Sequence, residues 1–573
     1  MGHWDWIILL CFFAYTLWDG MRQNAQTTNV EDLLLANRRM PWWAIGLSVL
    51  ATQASAVTFI GTTGQAYMHD MKFVQFYLGT PIAMVILCVT LLPLYHRTKA
   101  FTAYEILEKR FGLSTRLSTS FLFLLSRGLA TGVTIAAPAY VLSLILDISL
   151  QATIIVIGIS ATIYTMYGGI GGVIRTDIKQ MVLMVIGLVF CFFWIMGAMP
   201  DQVGFGDSMW LAGALGKLES IDLSFDPGEK YNIWSGLIAG TFLMLAYFGT
   251  DQSQVQRYLT SRSLADAKGS LLMSAFVKIP MQFFILLLGV CLYVFYFFGD
   301  RPLLFSPIEE LKPAVAAEYQ HLESQFDLVQ QQRQEAAFAY IEAPTAPAKQ
   351  QLRSLDAQAQ LLREEALIQL KAETGKDRDD TNYVFPYFIL HEIPQGLIGL
   401  IVAAILAAAL SSIDSILNSL TAASIMDWYK RLHKKPKPEG HYLRMARVTT
   451  LIWGLLATAT ALSFGETESI IELINKIGSY FYGSILGVFI LLWVKRATGF
   501  STITGLFTGI ISVWLLSLLH QEIGAGDYAW FWNTPKGYER ALEYLWLNPI
   551  GTVIVVIIGF VLGANKPTNS SAA

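Results

Sequence analysis

The chain has 573 residues, 54% of them hydrophobic and 14% charged, with a formal net charge of −3 and a mean hydropathy of +0.48. A soluble chain of this length usually carries about 25% charged residues. The composition therefore excludes a water-soluble multidomain enzyme, and the solvent of most of this chain is a lipid bilayer.

A spanning helix needs roughly 20 mostly apolar residues. About 13 stretches qualify, near 4–20, 42–66, 73–95, 117–147, 150–168, 177–198, 232–256, 268–298, 395–426, 442–463, 468–494, 499–519 and 546–564. The first lacks a basic flank and carries Asp5 and Asp19, so it reads as a retained helix and not a cleaved signal. The second contains "LSVLATQASAVTFIGTTG", with small and polar residues crowding its middle around Ala51, Ala54 and Ala56. A break there exposes carbonyls to a cation and amides to a solute.

Further along, "YGGIGGVIRTDIKQ" places Asp177 at the start of a span, where it either closes an ion site or sits at a positive helix end. Ile174 occupies the third glycine position of GxGxxG, which excludes a dinucleotide loop. In "MLAYFGTDQSQVQR" an apolar run is interrupted at Gly249, the counterpart of the earlier break. Paired interruptions five spans apart point to inverted repeats, 42–198 and 232–494, with the binding site near the midplane. Residues 1–41 then supply an extra helix and loop, and 495–573 two further helices and a tail. The Gln-, Glu- and Ala-rich segment 299–383 is rich in helix formers and is divided at Pro344 and Pro347. It reads as a helical hairpin outside the cell, either a solvated insertion or a lid or docking element whose protein partner the sequence does not name.

"AAALSSIDSILNS" follows, and a helix through it puts Ala408, Ser411, Ser412 and Ser415 on one stripe, with the Asp414 carboxylate beside it. Hydroxyls and freed carbonyls are what a sodium ion needs in a membrane helix. The same stripe also suits close helix packing.

Loops near 21–41, 94–116, 167–179, 257–268, 427–447, 495–500 and the tail hold 23 Lys and Arg, against five in the short loops of the other side. Basic loops stay cytoplasmic, so the N-terminus is expected outside and the C-terminus inside the plasma membrane, or the inner membrane of a Gram-negative cell. Intramembrane charge is costly and marks function; the candidates are Arg127, Asp177, Asp251, Lys278, Asp414, Glu472 and Lys476. Cys11, Cys88, Cys191 and Cys291 are isolated in apolar stretches and read as packing thiols. HExxH, GxSxG and GxxxxGK[ST] are all lacking, and neither an enzyme activity nor a nucleic-acid partner is expected.

The ordered motifs "PWWAIGLS", "TAYEILEKRFG", "YTMYGGIGGVIRTDIKQ", "DQSQVQR" and "SSIDSILNS…IMDWYK" resemble the sodium/solute symporter family from about residue 30 to 500. That family includes sodium/galactose, sodium/proline and sodium/sialic acid symporters and the animal glucose, iodide and monocarboxylate carriers. The resemblance implies an all-α polytopic membrane protein of LeuT-type fold, with inverted five-helix repeats whose first helices are broken. It also implies a symporter importing a small organic solute (a sugar, a sialic acid or a monocarboxylate) by alternating access, with Na+ co-transported and no organic cofactor.

By motif match the principal sodium ligands are the carbonyls of Ala51, Ala54 and Ala408 and the hydroxyls of Ser411 and Ser412. A second sodium falls on Asp177, Ser411, Asp414 and Ser415, although the sialic acid symporter has serine where Asp414 stands. Solute residues are Gln53, Thr58, Arg127, Tyr247, Lys278 and Asn475. Arg127 suits a carboxylate bidentately; it and Lys278 also suit structural pairing. Asp414 keeps a proton-coupled carrier open, and the hairpin a transporter-like sensor.

Overall fold

A computed structural model describes residues 1–22, 29–307, 313–374, 380–433, 435–463, 470–523 and 542–563. Among the described residues there are helices and no strand. In chain order they are α1 (His3–Arg22), α2 (Trp42–Gln53), α3 (Ala56–Met68), α4 (Lys72–Thr98), α5 (Leu113–Leu146), α6 (Leu150–Gly197), α7 (Ser235–Thr250), α8 (Gln252–Leu259) and α9 (Leu264–Phe298). Then come α10 (Pro313–Glu342), α11 (Ala346–Thr374), α12 (Ile398–Ala423), α13 (Glu439–Ser463), α14 (Ile470–Ile490), α15 (Gly499–Ile523) and α16 (Leu547–Gly563). Burial runs opposite to that of a soluble protein: Val89, Phe193 and Ile557 face outward, while α12 is buried along its length apart from Leu400 and carries Ser411, Ser412, Asp414, Ser415 and Asn418. Polar side chains at bilayer depth face the bundle because lipid offers them no partner.

By length and apolarity, eight described helices can span a bilayer, or nine with α2 and α3 taken as one bent span. This falls short of the expected 13 for three physical reasons. The helix α1 carries charge at both ends, α7 and the Ile477–Trp493 stretch are short, and α6 counts once because its 48 residues form one helix through two expected spans. At 1.5 Å per residue α6 is about 70 Å long, more than twice a bilayer core of about 30 Å, and it kinks at Gly169 (φ 56°, ψ −169°). This region of backbone space is essentially open to glycine alone, and a Cβ there would lie 2.6 Å from the Leu33 carbonyl oxygen. Gly169→Ala is expected to lower the unfolding temperature of the purified protein, with a loss of about 1–3 kcal/mol; an unchanged melting curve would refute that role for the kink.

The two breaks differ in construction. Between α2 and α3 the chain bends by 58°. Ala54 leaves the helix (φ −90°, ψ 61°), Ser55 is extended, and the Ser55 hydroxyl accepts the Thr58 amide to start α3. Between α7 and α8 the break lies at Asp251 (φ −81°, ψ 120°) and not at Gly249. The Asp251 carboxylate accepts the Ser253 amide at 2.8 Å and caps α8, which turns the chain there. Gly249 stays helical and serves close packing, since a Cβ on it would lie 2.7 Å from Leu87.

The helices α10 and α11 pair as a hairpin around Leu322, Phe326, Leu362 and Ala366. Gln330 donates to the carbonyls of Tyr296 and Phe297 at the end of α9, and Arg333 pairs with Asp356 at 2.5 Å. Cys88, Cys191 and Cys291 are buried, whereas Cys11 is exposed on α1 and packs nothing inside.

Candidate functional site

An α-helix leaves its last four carbonyls without partners of its own. At the end of α2 these belong to Leu50, Ala51, Thr52 and Gln53, and their partners define the site. The Leu50 carbonyl accepts the Ala54 amide at 2.8 Å. The Ala51 carbonyl accepts the Ser411 hydroxyl and the Thr52 carbonyl the Ser412 hydroxyl, each at 3.2 Å. Both serines also donate to the Ala408 carbonyl, at 3.0 and 3.3 Å. The Gln53 carbonyl accepts Thr58 Oγ1 at 3.1 Å and the Lys278 ammonium at 3.4 Å. The expected residues Ala51, Ala408, Ser411 and Ser412 thus meet where the negative end of a helix dipole faces a hydroxyl stripe, and Ala54 forms the bend itself. Sequence reasoning did not single out the Thr52 carbonyl, because which carbonyls turn toward α12 depends on the bend.

The second expected set is differently arranged. Asp177, on α6, accepts the Ser48 hydroxyl at 2.5 Å. Asp414 accepts Tyr164 at 2.8 Å and Ser415 at 3.0 Å. Among them stands Arg257, which the charge pattern of the loops assigns to the cytoplasm but which is fully buried. Its guanidinium donates to Ser48 Oγ at 2.8 Å, to Thr52 Oγ1, to Ser415 Oγ and to the Ser253 carbonyl, and lies 3.4 Å from Asp177 Oδ2. The cause is the turn at Asp251: the whole of α8 is buried, and its last turn aims the arginine inward.

The solute residues fall into two groups. Gln53, Thr58 and Lys278 gather at the first break, where the Lys278 ammonium lies 4.9 Å from the Tyr77 ring centre. No carboxylate pairs with this buried lysine among the described residues. Arg127 and Tyr247 gather at the second break. Arg127 Nε donates to Asp251 at 2.5 Å, and its guanidinium sits 5.2 and 5.4 Å from the ring centres of Tyr247 and Tyr482. Tyr482 donates to the same carboxylate at 3.0 Å, and Gln254 donates to the Tyr247 hydroxyl at 2.8 Å. Among the described residues, Arg127 Nη2 is buried without a hydrogen-bond partner. The side chains of Asn475, Glu472 and Lys476 lie outside the described residues, although their backbone belongs to α14.

The model of the sodium:solute symporter family matches residues 33–321 and 360–509. The chain belongs to this family. It is a sodium-coupled solute symporter, a multi-pass membrane transporter and not an enzyme. It is similar to the sodium/sialic acid symporter NanT of Aliivibrio fischeri, at 25% identity over 98% of this chain and 92% of that protein. Likewise it is 26% identical to SiaT of Proteus mirabilis, over 97% and 94%. It is 31% identical to the sodium/iodide cotransporter of Homo sapiens, over 54% of this chain and 48% of the cotransporter. A solved substrate-bound, outward-open sodium-coupled sialic acid symporter matches with a TM-score of 0.73 at 24% identity, over 99% of this chain and 98% of that one. The symporter has that all-helical, LeuT-type fold. The stretch between the two family matches, 322–359, falls within the α10–α11 hairpin.

Proposed function

We propose that the symporter holds its co-transported sodium between the α2–α3 bend and α12, with the carbonyls of Ala51, Ala54 and Ala408 and the hydroxyls of Ser411 and Ser412 as ligands. The observation that carries this reading is the meeting of Ser411 and Ser412 with the freed carbonyls of Ala51 and Thr52. Each hydroxyl now donates to carbonyls; rotating its proton away turns the same oxygen toward a cation. The repeats are read as 42–198 and 232–494, with the hairpin inserted in the second. The N-terminus faces outward and the C-terminus the cytoplasm across the plasma membrane, and each sodium entering draws about 2.3 kcal/mol from a potential of 100 mV.

The solute is read as a small organic anion of the sialic acid or monocarboxylate class, bound by Gln53, Thr58, Arg127, Tyr247, Lys278 and Asn475. Two features support an anion over a neutral sugar: among the described residues, buried Lys278 has no carboxylate of its own and Arg127 Nη2 has no hydrogen-bond partner. A buried charge is stable only when paired; a solute carboxylate would supply the partner that Lys278 lacks and a further acceptor for Arg127, whose charge is already paired with Asp251. Sodium binding then favours the outward-facing state because it bridges elements that separate on the inward swing.

A thermal-shift screen of the purified protein against sugars and organic acids, with sodium or with potassium, tests both parts. The expected ligand is an acid that stabilises only with sodium. A neutral sugar that stabilises equally in either salt would overturn the reading. Lys278→Met is expected to weaken that acid about 10–100-fold while leaving the sodium midpoint unchanged, because a hydrogen bond to a charged group contributes about 1.5–3 kcal/mol. Equal affinities for the acid would remove Lys278 from the solute site.

A further inference from the structure

The α10–α11 hairpin covers a group of buried cations that neither the sodium nor the solute residues use. Arg301, just past α9, is only 8% exposed, yet among the described residues its guanidinium makes no hydrogen bond and no ion pair. Ring faces alone hold it, 5.4 Å from the centre of Tyr67, 5.8 Å from that of Tyr293 and 5.6 Å from that of Phe326. Such faces attract a cation but leave its N–H donors unmet. Three more cations are buried around it: Lys217, Arg333 on α10 and Arg363 on α11. Lys217 donates to the Tyr67 and Met68 carbonyls at 2.9 and 2.8 Å and lies 4.4 Å from the centre of the Tyr293 ring. Burial, opposed by Asp356 and reinforced by Arg301, pushes its ammonium down to about 7. Against these cations stand two buried carboxylates, and both are taken. Asp356 accepts Arg333 at 2.5 Å and also Tyr293 and Gln360. Asp380 accepts Arg363 at 2.6 Å and the amides of Phe305 and Ser306. Nearby, Asp70 and Glu219 pair with Lys72, and Asp300 is exposed.

We propose that this cluster is a binding site for a small monovalent anion, a halide or a short carboxylate, seated beside Arg301 under the hairpin. Arginine is never neutral inside a protein, and a buried charge is stable only when paired, so Arg301 calls for an anion that the described residues do not supply. Unused donors surround the same place. The hydroxyls of Tyr67, Tyr296 and Ser306 are buried without partners among the described residues, and the Tyr67 ring meets those of Tyr296 and Phe305 edge-on, with centres 6.3 and 5.3 Å apart. A hydroxyl proton turns to suit its acceptor. The site is separate from the solute residues, because Tyr293 lies about 22 Å further along α9 than Lys278. Arg333 and Asp356 fall within 322–359, outside the family matches, so this chain builds the site partly from a segment the family pattern lacks. A bound anion would fasten the hairpin to the ends of α3 and α9.

The test is thermal unfolding of the full-length protein purified in sodium gluconate, then titrated with sodium chloride or sodium acetate at constant sodium and ionic strength. The wild type is expected to gain melting temperature and to saturate, which separates a site from a general salt effect. Saturation by chloride alone assigns a halide, by acetate alone a carboxylate, and either supports the site. Arg301→Gln is expected to raise the half-saturating concentration about 10–100-fold. Lys278→Met should leave it unchanged, which distinguishes this site from the solute site. A merely structural Arg301 would lower the melting temperature equally in gluconate and in the other salts. No saturable stabilisation of the wild type by either anion would overturn the proposal, whether or not the variants fold. The same half-saturation in a folded Arg301→Gln, or its loss in Lys278→Met, would overturn it as well.

Discussion

Ser412→Ala should raise the sodium concentration needed to stabilise the protein by about 10–100-fold, read as the midpoint of the thermal shift against sodium chloride. The buried Ser412 hydroxyl donates to the carbonyls of Thr52 and Ala408. Alanine removes one oxygen from the small ligand set proposed for sodium without filling the space with bulk. A charge-assisted contact of this kind contributes about 1.5–3 kcal/mol, which corresponds to that range of affinity. Ser411→Ala should behave similarly, because Ser411 makes the matching contact to Ala51. The melting temperature in potassium should barely move in either variant, which separates ion binding from folding. A sodium midpoint within a factor of about two of the wild type, a change too small for loss of a charged contact, would remove the hydroxyls from the site.

Asp251→Ala should be the most destabilising single change at the second break, by about 3–5 kcal/mol, because it leaves a buried cation without its partner. The Asp251 carboxylate accepts Arg127 Nε at 2.5 Å, Tyr482 at 3.0 Å, and the Ser253 amide and hydroxyl at 2.8 and 2.7 Å. One substitution thus strands the Arg127 guanidinium between two tyrosine rings and also uncaps α8. Arg127→Ala removes the cation but leaves the carboxylate its three other donors, so a smaller loss is expected. The double variant should be more stable than the sum of the single effects allows, since groups in direct contact are not additive. Unfolding of the four proteins in one detergent measures this. Strict additivity would show that Arg127 and Asp251 act independently despite their contact.

The core of the candidate site was legible because two local signals agreed. The spacing of Ala408, Ser411, Ser412 and Ser415 requires one face on any helix, and the small residues from Ala51 to Ala56 offer nothing to fill the space opposite. Arg257 was hidden by a rule that usually works: arginines near span ends stay in the cytoplasm. Here the chain turns at Asp251, so a residue a few positions later points back into the bundle. A signal was nonetheless present in "DQSQVQR", where one valine among six polar residues is too polar for lipid, while the sequence alone does not say whether such a segment is loop or buried helix. Gly249 misled because glycine serves breaks and close packing alike, and only the neighbouring Leu87 distinguishes them. The pairing of Arg127 with Asp251 joins residues 124 apart in sequence, which no local pattern reports. The count of 13 spans is not confirmed: by length and apolarity eight or nine described helices qualify, because α1 carries charge at its ends, α7 and Ile477–Trp493 are short, and α6 runs as one kinked helix through two expected spans.

An experimental structure of the protein prepared in sodium, compared with one prepared in potassium, tests the central claim most directly. The account predicts density for one ion bounded by the Ala51 and Ala408 carbonyls and the Ser411 and Ser412 hydroxyls, present in sodium and lost in potassium. Direct packing of α2 onto α12 with no ion between them in sodium, or an ion bound elsewhere in the bundle, would contradict it.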